Sequence, residues 1–211
     1  MAETGKQLVT LSNILTAAPF IVVALIAITF HEAAHAITAA ACGDDTAKSV
    51  GRASLNPIRH IDPLGTILLP LFLYLIHAPF LFGWAKPVPV NWSNLRHWRR
   101  DMMLVAVAGP AANLALAGIS AALIVGAIHI GWTPVWLTQT LLASTAINLV
   151  LALFNMIPIP PLDGSKVLAG FLSEKWALRI AGLRQRRSGL TWHTQAFREG
   201  LPPKPPADLG V

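Results

Sequence analysis

The sequence predicts an all-α polytopic membrane protein, and two observations predict it. Hydrophobic residues make up 54% of the 211-residue chain and charged residues only 12%, about half the charged share of an ordinary soluble domain. The apolar residues are also gathered into four long stretches that polar, turn-rich segments separate. A helix of about 20 apolar residues crosses the hydrocarbon core of a bilayer, so the lipid bilayer is the first expected partner.

The four stretches cover residues 17–41, 65–82, 102–130 and 135–157. The first, third and fourth are long enough to be full transmembrane helices. The second is the shortest, and Pro70 and Pro79 interrupt it, so a continuous helix is not expected there. We predict three full transmembrane helices plus a proline-broken re-entrant hairpin, with short extended or β segments in the loops.

The net charge of +6 could indicate a nucleic-acid partner, but the positions of the basic residues argue against it. Lys and Arg lie between and after the hydrophobic stretches, where they would meet anionic headgroups. No nucleic-acid recognition motif is present, so nucleic acid is not expected as a partner. Cys42 is the only cysteine, which excludes an intrachain disulfide and a cysteine-based zinc site.

The first stretch contains the sequence HEAAH, with His31 and His35 four residues apart. On a helix these positions share a face, so both imidazoles can reach one metal ion, and Glu32 can deprotonate a metal-bound water. Polar groups inside an apolar helix cost several kcal/mol unless they are paired or ligated. The alternative is that they hydrogen-bond to neighbouring helices as packing contacts, but packing does not require this spacing.

A catalytic zinc ion needs a third protein ligand and one open position, and Asp163 is the best candidate for that ligand. It follows the fourth stretch in the sequence NMIPIPPLDG. The prolines end the helix, so the chain can turn back and direct a carboxylate inward. Gly164 then permits a tight turn. The alternative is that Asp163 caps a helix that begins near Ser165.

Four further polar residues have two interpretations each. The amide of Asn155 could donate to a substrate carbonyl or a developing oxyanion, or it could be an interhelical contact. Asn148 lies two helical turns earlier on the same face, and the contact is the favoured interpretation for it. His60 and Asp62 could orient a zinc ligand from outside the coordination shell or simply fold their loop, and the loop is favoured.

The ligands constrain the topology. His35 lies near the end of the first helix and Asp163 just past the fourth stretch, so both helices must cross the membrane in the same direction. An odd number of crossings therefore separates them, and the second stretch is the one that fails to cross. Residues 42–101 and the tail then carry nearly all Lys and Arg on the cytoplasmic side, as the positive-inside rule requires.

Residues 86–90 alternate proline and valine in the sequence KPVPV. Successive N–H groups of a strand point to opposite edges, so Pro87 and Pro89 remove donors from one edge while Val88 and Val90 keep them on the other. Such an edge could pair with an unwound substrate strand. A rigid polyproline connector fits the same sequence equally well.

These motifs together resemble the site-2 protease family of intramembrane zinc metalloproteases, over residues 20–172. The family motifs are HEAAH at 31–35, AGPAAN at 108–113 and NMIPIPPLDG at 155–164, and segments 55–65 and 83–91 resemble a compact bacterial branch.

The resemblance implies one Zn²⁺ per chain on His31, His35 and Asp163, with Glu32 as general base and Asn155 near the substrate backbone. We expect an intramembrane metalloprotease domain at residues 1–172 and, from its composition, a basic, proline-rich cytoplasmic tail at 173–211, where chains of this branch commonly carry another hydrophobic helix. The expected substrates are single-span membrane proteins, cleaved within the membrane. The expected location is the inner (plasma) membrane, with the active site toward the cytoplasm.

Two other functions use the same residues without hydrolysis. A membrane metal carrier would explain the histidines and the aspartate but gives no role to Glu32. A non-catalytic scaffold that binds partner helices would explain the apolar faces alone.

Overall fold

The computed structural model describes residues 2–76 and 83–172, and within them the side chains of residues 19–73, 75–76 and 83–172. The helices are α1 (Ala2–Ala41), α2 (Thr46–Ser49), α3 (Leu69–Leu75), α4 (Trp98–His129), α5 (Val135–Asn155) and α6 (Asp163–Phe171). Short 3₁₀ turns cover Pro57–His60 and Trp92–Asn94, and a wider π-helical turn at Pro63–Leu68 leads into α3. The predicted tail at 173–211 lies outside the described residues.

Within the described part of the chain, three helices are long and apolar enough to cross a membrane: Pro19–Ala41, Trp98–His129 and Val135–Asn155. They correspond to the three stretches predicted to cross. Many of their outward side chains are large and apolar; Ile128 is 61% exposed and Leu153 is 68% exposed. Surfaces of this kind are unfavourable in water and normal in lipid. The chain is a multi-pass, all-α membrane protein.

Helix α4 packs against both α1 and α5, and its hydrogen bonds to α1 fix their relative direction. A ring nitrogen of His35 bonds to the carbonyl oxygen of Val105, and the amide of Asn113 bonds to the carbonyl of Ala27. Val105 precedes Asn113 in α4, whereas its partner His35 follows Ala27 in α1. The two helices are therefore antiparallel.

The contacts between α4 and α5 show that these two helices are also antiparallel. Asn113 donates to Asn148 at 2.8 Å, and Ser120 donates to Ser144 at 2.8 Å. Small side chains allow the close approach, and the buried alanines of these helices are Ala27, Ala33, Ala36, Ala39, Ala106, Ala117, Ala143 and Ala152. As a result, the last turns of α1 and α5 and the first turns of α4 lie at one end of the bundle.

The connection from α1 to α4 is attached to α1 by Asp44, whose side chain is fully buried. Its carboxylate accepts hydrogen bonds from the N–H of Asn91 at 2.7 Å, the amide of Asn94 at 2.9 Å and the hydroxyl of Thr46 at 2.5 Å. A buried carboxylate is stable only when donors surround it in this way. Asp44 thus holds the second half of the connection beside the end of α1.

Gly65, the first residue of the second apolar segment, lies next to Trp84. The N–H of Trp84 donates to the carbonyl of Gly65 at 3.1 Å. A Cβ added at Gly65 would lie 2.3 Å from the Trp84 indole, so only glycine allows this approach.

No β-strand is present in the two described ranges, so the predicted β segments are not confirmed. The prolines at 87 and 89 have no N–H to offer a neighbouring strand. The N–H of Val88, which lies between them, donates instead to the side chain of Glu32 at 2.8 Å.

Candidate metal centre

The three residues predicted as metal ligands meet at the end of the bundle where α1, α4 and α5 converge. The carboxylate Oδ2 of Asp163 lies 3.2 Å from Nε2 of His31 and 3.1 Å from Nε2 of His35. The two Nε2 atoms are 3.1 Å apart. All three side chains are buried, and they form a potential metal-binding group.

The local sequence explains how Asp163 returns to α1. The prolines after α5 stop that helix, and α6 begins at Asp163 itself. A Cβ at Gly164 would lie 2.1 Å from the carbonyl oxygen of Met156, so glycine is needed where α6 passes the end of α5. The cap position of α6 is Leu162, which makes no side-chain cap. The carboxylate of Asp163 faces the histidines, which removes the capping alternative.

The tautomer of His31 is fixed by Asn113. Both hydrogens of the Asn113 amide are used, one on the carbonyl of Ala27 at 3.1 Å and one on Asn148 at 2.8 Å. The Asn113 oxygen, 2.6 Å from Nδ1 of His31, must therefore accept a hydrogen bond. In neutral His31 the proton is then on Nδ1, and Nε2 carries a lone pair.

His35 is fixed in the same tautomer by the main chain of α4. Its Nδ1 lies 2.6 Å from the carbonyl oxygen of Val105, which can only accept. The Nε2 lone pair of neutral His35 therefore points at Nε2 of His31 and at Asp163. Bonds of this kind from the second ring nitrogen are typical of metal-ligating histidines.

The donor set fits a zinc ion. Two imidazole nitrogens and one carboxylate oxygen converge at 3.1–3.2 Å, and with both rings neutral this arrangement is repulsive unless a cation joins them. Two nitrogens and one oxygen are a known ligand set for catalytic zinc, which keeps its fourth position open. Gly109 of α4 faces the same point, since a Cβ there would lie 2.4 Å from Nε2 of His35 and 2.7 Å from Nε2 of His31.

The second oxygen of Asp163 is held by Lys166, one turn along α6. The Lys166 ammonium lies 2.5 Å from Oδ1 of Asp163. It also lies 5.6 Å from the centre of the Trp92 ring, within the range of a cation–π contact. One oxygen of the carboxylate thus faces the histidines while the other faces Lys166.

The side chain of Glu32 contacts the connecting segment. Its Oε2 accepts the hydrogen bond from Val88 at 2.8 Å. Arg52 lies on the other side of the same segment and donates to the carbonyl of Pro87 at 3.1 Å. Burial lowers the pKa of the Arg52 guanidinium from its usual value, and the nearby carboxylates of Glu32 and Asp62 oppose that effect.

The structure does not bring Asn155 into the ligand group. Its amide donates to the carbonyl of Leu151 in its own helix at 2.9 Å. Asn148 makes an interhelical contact, as favoured from the sequence, by accepting a hydrogen bond from Asn113, the partner of His31. His60 bonds to the carbonyl of Ser54 and Asp62 to the N–H groups at the start of the π turn, so both fold their loop.

Sequence reasoning did not assign roles at the metal site to Gly109, Asn113 or Lys166, and it considered the N–H of Val88 only as a donor to a substrate strand. Gly109 and Asn113 both lie in the AGPAAN motif, so a signal for them was available. Lys166 lies one helical turn after Asp163, a spacing that places the two side chains on one face. Nothing in the sequence indicates that a main-chain amide 56 residues from Glu32 bonds to its carboxylate.

Comparison with known proteins agrees with this site. The model of "Peptidase family M50" matches residues 126–186. A relative from Bacillus subtilis, YwhC, is named as a zinc metalloprotease; it is 44% identical over 156 residues, which cover 71% of this chain and 68% of YwhC.

Two relatives called Rip2 carry the same kind of name, one from Mycobacterium tuberculosis and one from Mycolicibacterium smegmatis. They are 31% and 28% identical over 165 residues, which cover 76% of this chain and 60% of Rip2. No solved structure matches the chain. Sequence identity at this level over most of the chain, together with the ligand group, places the protein: it belongs to peptidase family M50, the site-2 protease family of zinc metalloproteases.

Proposed function

We propose that this chain is an intramembrane zinc endopeptidase that cleaves the transmembrane segments of single-span membrane proteins, as in regulated intramembrane proteolysis. One Zn²⁺ per chain is held by His31, His35 and Asp163. The observation that carries the proposal is the convergence of three potential ligand atoms within 3.2 Å, contributed by a helix long enough to span a membrane and by α6.

The depth of the ligands supports cleavage inside the membrane. His35 lies six residues before the end of α1 at Ala41, which corresponds to about 9 Å of helix. Buried ionisable groups inside a membrane are costly and are usually functional. A peptide bond attacked at this level belongs to a segment that has itself entered the bilayer.

The chemistry divides between the ion and the chain. When bound, zinc supplies a Lewis acid that polarises a carbonyl oxygen and a water molecule. Glu32 accepts a proton from the attacking water and returns it to the leaving amine, as a general base and then a general acid. Asn155 donates from its amide to the substrate backbone; it is the last residue of α5, at the same end of the bundle as the ligands.

The same end of the bundle faces the cytoplasm in this proposal, and the protein lies in the inner (plasma) membrane. The connection between α1 and α4 leaves and re-enters at one level, so segment 65–82 is a re-entrant hairpin; the bond between Trp84 and Gly65 supports this. The basic residues here are Lys48, Arg52, Arg59, Lys86, Arg96, Arg99 and Arg100, whereas the turn between α4 and α5 has no Lys or Arg. This distribution satisfies the positive-inside rule.

Substitution G109A should remove most of the zinc. The added Cβ occupies the point that faces both Nε2 atoms, and the imidazoles cannot turn aside without breaking their Nδ1 bonds to Asn113 and Val105. Elemental analysis of the purified protein should give one zinc per chain for the wild type. G118A on the same helix is the control, because a Cβ there has no atom within 4 Å. Full zinc content in G109A would contradict the proposed site.

Substitution E32Q should keep the zinc and lower cleavage by at least about 100-fold, because the amide cannot take a proton. The assay uses a panel of quenched-fluorescence peptides in detergent micelles, each with one apolar helix of about 20 residues and a central helix-breaking Gly or Pro. A zinc-loaded wild type that cleaves none of the panel contradicts the endopeptidase. If E32Q still cleaves the peptides, Glu32 is not the general base. If E32Q still transports metal, the alternative of a membrane metal carrier is favoured.

Substitution N155L should lower kcat/KM by about 100-fold with unchanged zinc content, because one donor to the substrate backbone is lost. The matched control is T140V. Thr140 also bonds only to a carbonyl one turn earlier in α5, that of Trp136 at 2.7 Å, and it lies far along the helix from the ligands. Equal activity of N155L and T140V would show that Asn155 does not contact substrate.

Single cysteines in a C42S background test the topology. S54C and S93C lie in the connection between α1 and α4 and should react with a membrane-impermeant maleimide only from the cytoplasmic side. T133C, in the turn between α4 and α5, should react only from the opposite side. Labelling in intact spheroplasts and in inverted vesicles measures both. Reaction of S54C and S93C from different sides is incompatible with the hairpin.

A further inference from the structure

The extended segment between the hairpin and α4 touches Glu32 directly. The N–H of Val88 lies 2.8 Å from Oε2 of Glu32. The Val88 side chain is buried against Ala36 and Ala47. Ala36 is four residues after Glu32, on the same face of α1. Val88 is thus attached to one face of α1 at two points, through its main chain and through its side chain.

The sequence around Val88 leaves one main-chain donor at this place. Pro87 and Pro89 have no N–H, so between residues 87 and 89 only Val88 can donate. A segment with free N–H groups on each side of Val88 could slip by a residue and still offer a bond to the carboxylate. With proline at both neighbouring positions, the register of the contact is unique.

The segment is also held at both of its ends. The N–H of Lys86 donates to the carbonyl of His60 at 2.9 Å, and Arg52 donates to the carbonyl of Pro87 at 3.1 Å. At the other end, the N–H of Asn91 donates to the buried carboxylate of Asp44 at 2.7 Å. These contacts fix the position of the Val88 amide independently of Glu32.

We propose that the main-chain amide of Val88 is the positioning group of Glu32 in the hydrolytic reaction, an inference that rests on the proposed function. The amide holds Oε2 with a charge-assisted hydrogen bond and leaves the other oxygen of the carboxylate to take the proton. A flexible glutamate side chain is thereby confined to one orientation, which lowers the cost of reaching the reactive geometry.

This role differs from pairing with substrate. If the donor edge of residues 86–90 bound an unwound substrate strand, loss of the Val88 N–H would weaken substrate binding and raise KM. If the amide orients Glu32, its loss slows the chemical step and lowers kcat while KM stays the same. The two roles therefore separate in the kinetic constants.

The first test compares V88P with V88A in the peptide assay. V88P removes the N–H, and V88A trims the packed side chain but keeps the N–H. We expect kcat of V88P to fall about 10- to 100-fold below that of V88A, the usual effect of losing a partner that orients an active-site group. KM and zinc content should be the same in both. V90P removes an N–H from the same segment but leaves the Val88–Glu32 bond in place, so its kcat should exceed that of V88P.

A main-chain ester at position 88 is the second test and does not depend on proline being accepted there. Nonsense suppression with α-hydroxyisovaleric acid replaces the N–H by oxygen and keeps the valine side chain. The ester variant should show the same loss of kcat with bound zinc retained. A kcat equal to that of wild type, a raised KM with unchanged kcat, or loss of zinc would each overturn the proposal.

The outcomes also separate this inference from the proposed function. If zinc-loaded wild type cleaves no peptide, the endopeptidase has failed. If wild type cleaves and the ester variant cleaves equally fast, only the role of Val88 has failed.

Discussion

The structure depends on the contact between α1 and α4, where two imidazoles and one amide side chain are buried together. Inside a membrane no water is available to replace a missing hydrogen-bond partner, so each polar group must find one in the protein. Asn113 uses its oxygen and both hydrogens on His31, Ala27 and Asn148. The carbonyl of Val105 satisfies His35. Any shift of α4 along α1 would break these bonds together, so the polar contacts fix the register of the helices.

The same bonds that satisfy the imidazoles prepare them for a metal. With Nδ1 committed to an acceptor, each neutral ring turns its Nε2 lone pair toward the other and toward Asp163. Two lone pairs and a carboxylate repel one another without a cation, and helix packing offsets this repulsion. The ligands are therefore held close together before a metal binds, which is a form of preorganisation. Gly109 completes the arrangement, because its missing side chain leaves space beside both Nε2 atoms.

The ligands and Glu32 are supported by different parts of the chain. His31 and His35 are held by the helix bundle, whereas the carboxylate of Glu32 is held by the segment that precedes α4. The bundle is fixed by interhelical packing and hydrogen bonds. The segment is fixed by loop contacts, with Asp44 as its buried anchor.

The sequence by itself predicted the three helices long enough to span a membrane and the three residues that meet in a potential metal-binding group. Helices in lipid must be long and apolar, and two ligands on one helical face must be four residues apart, so both features leave a periodic or compositional trace. Only the tertiary structure decided the tautomers of the two histidines and the bond from Val88 to Glu32. The tertiary structure also showed that Val88, in the predicted β segment at residues 86–90, donates its N–H to the carboxylate of Glu32 and not to a neighbouring strand. These are contacts between groups far apart in the chain, or between a side chain and the main chain, and neither kind has a spacing that a sequence can display.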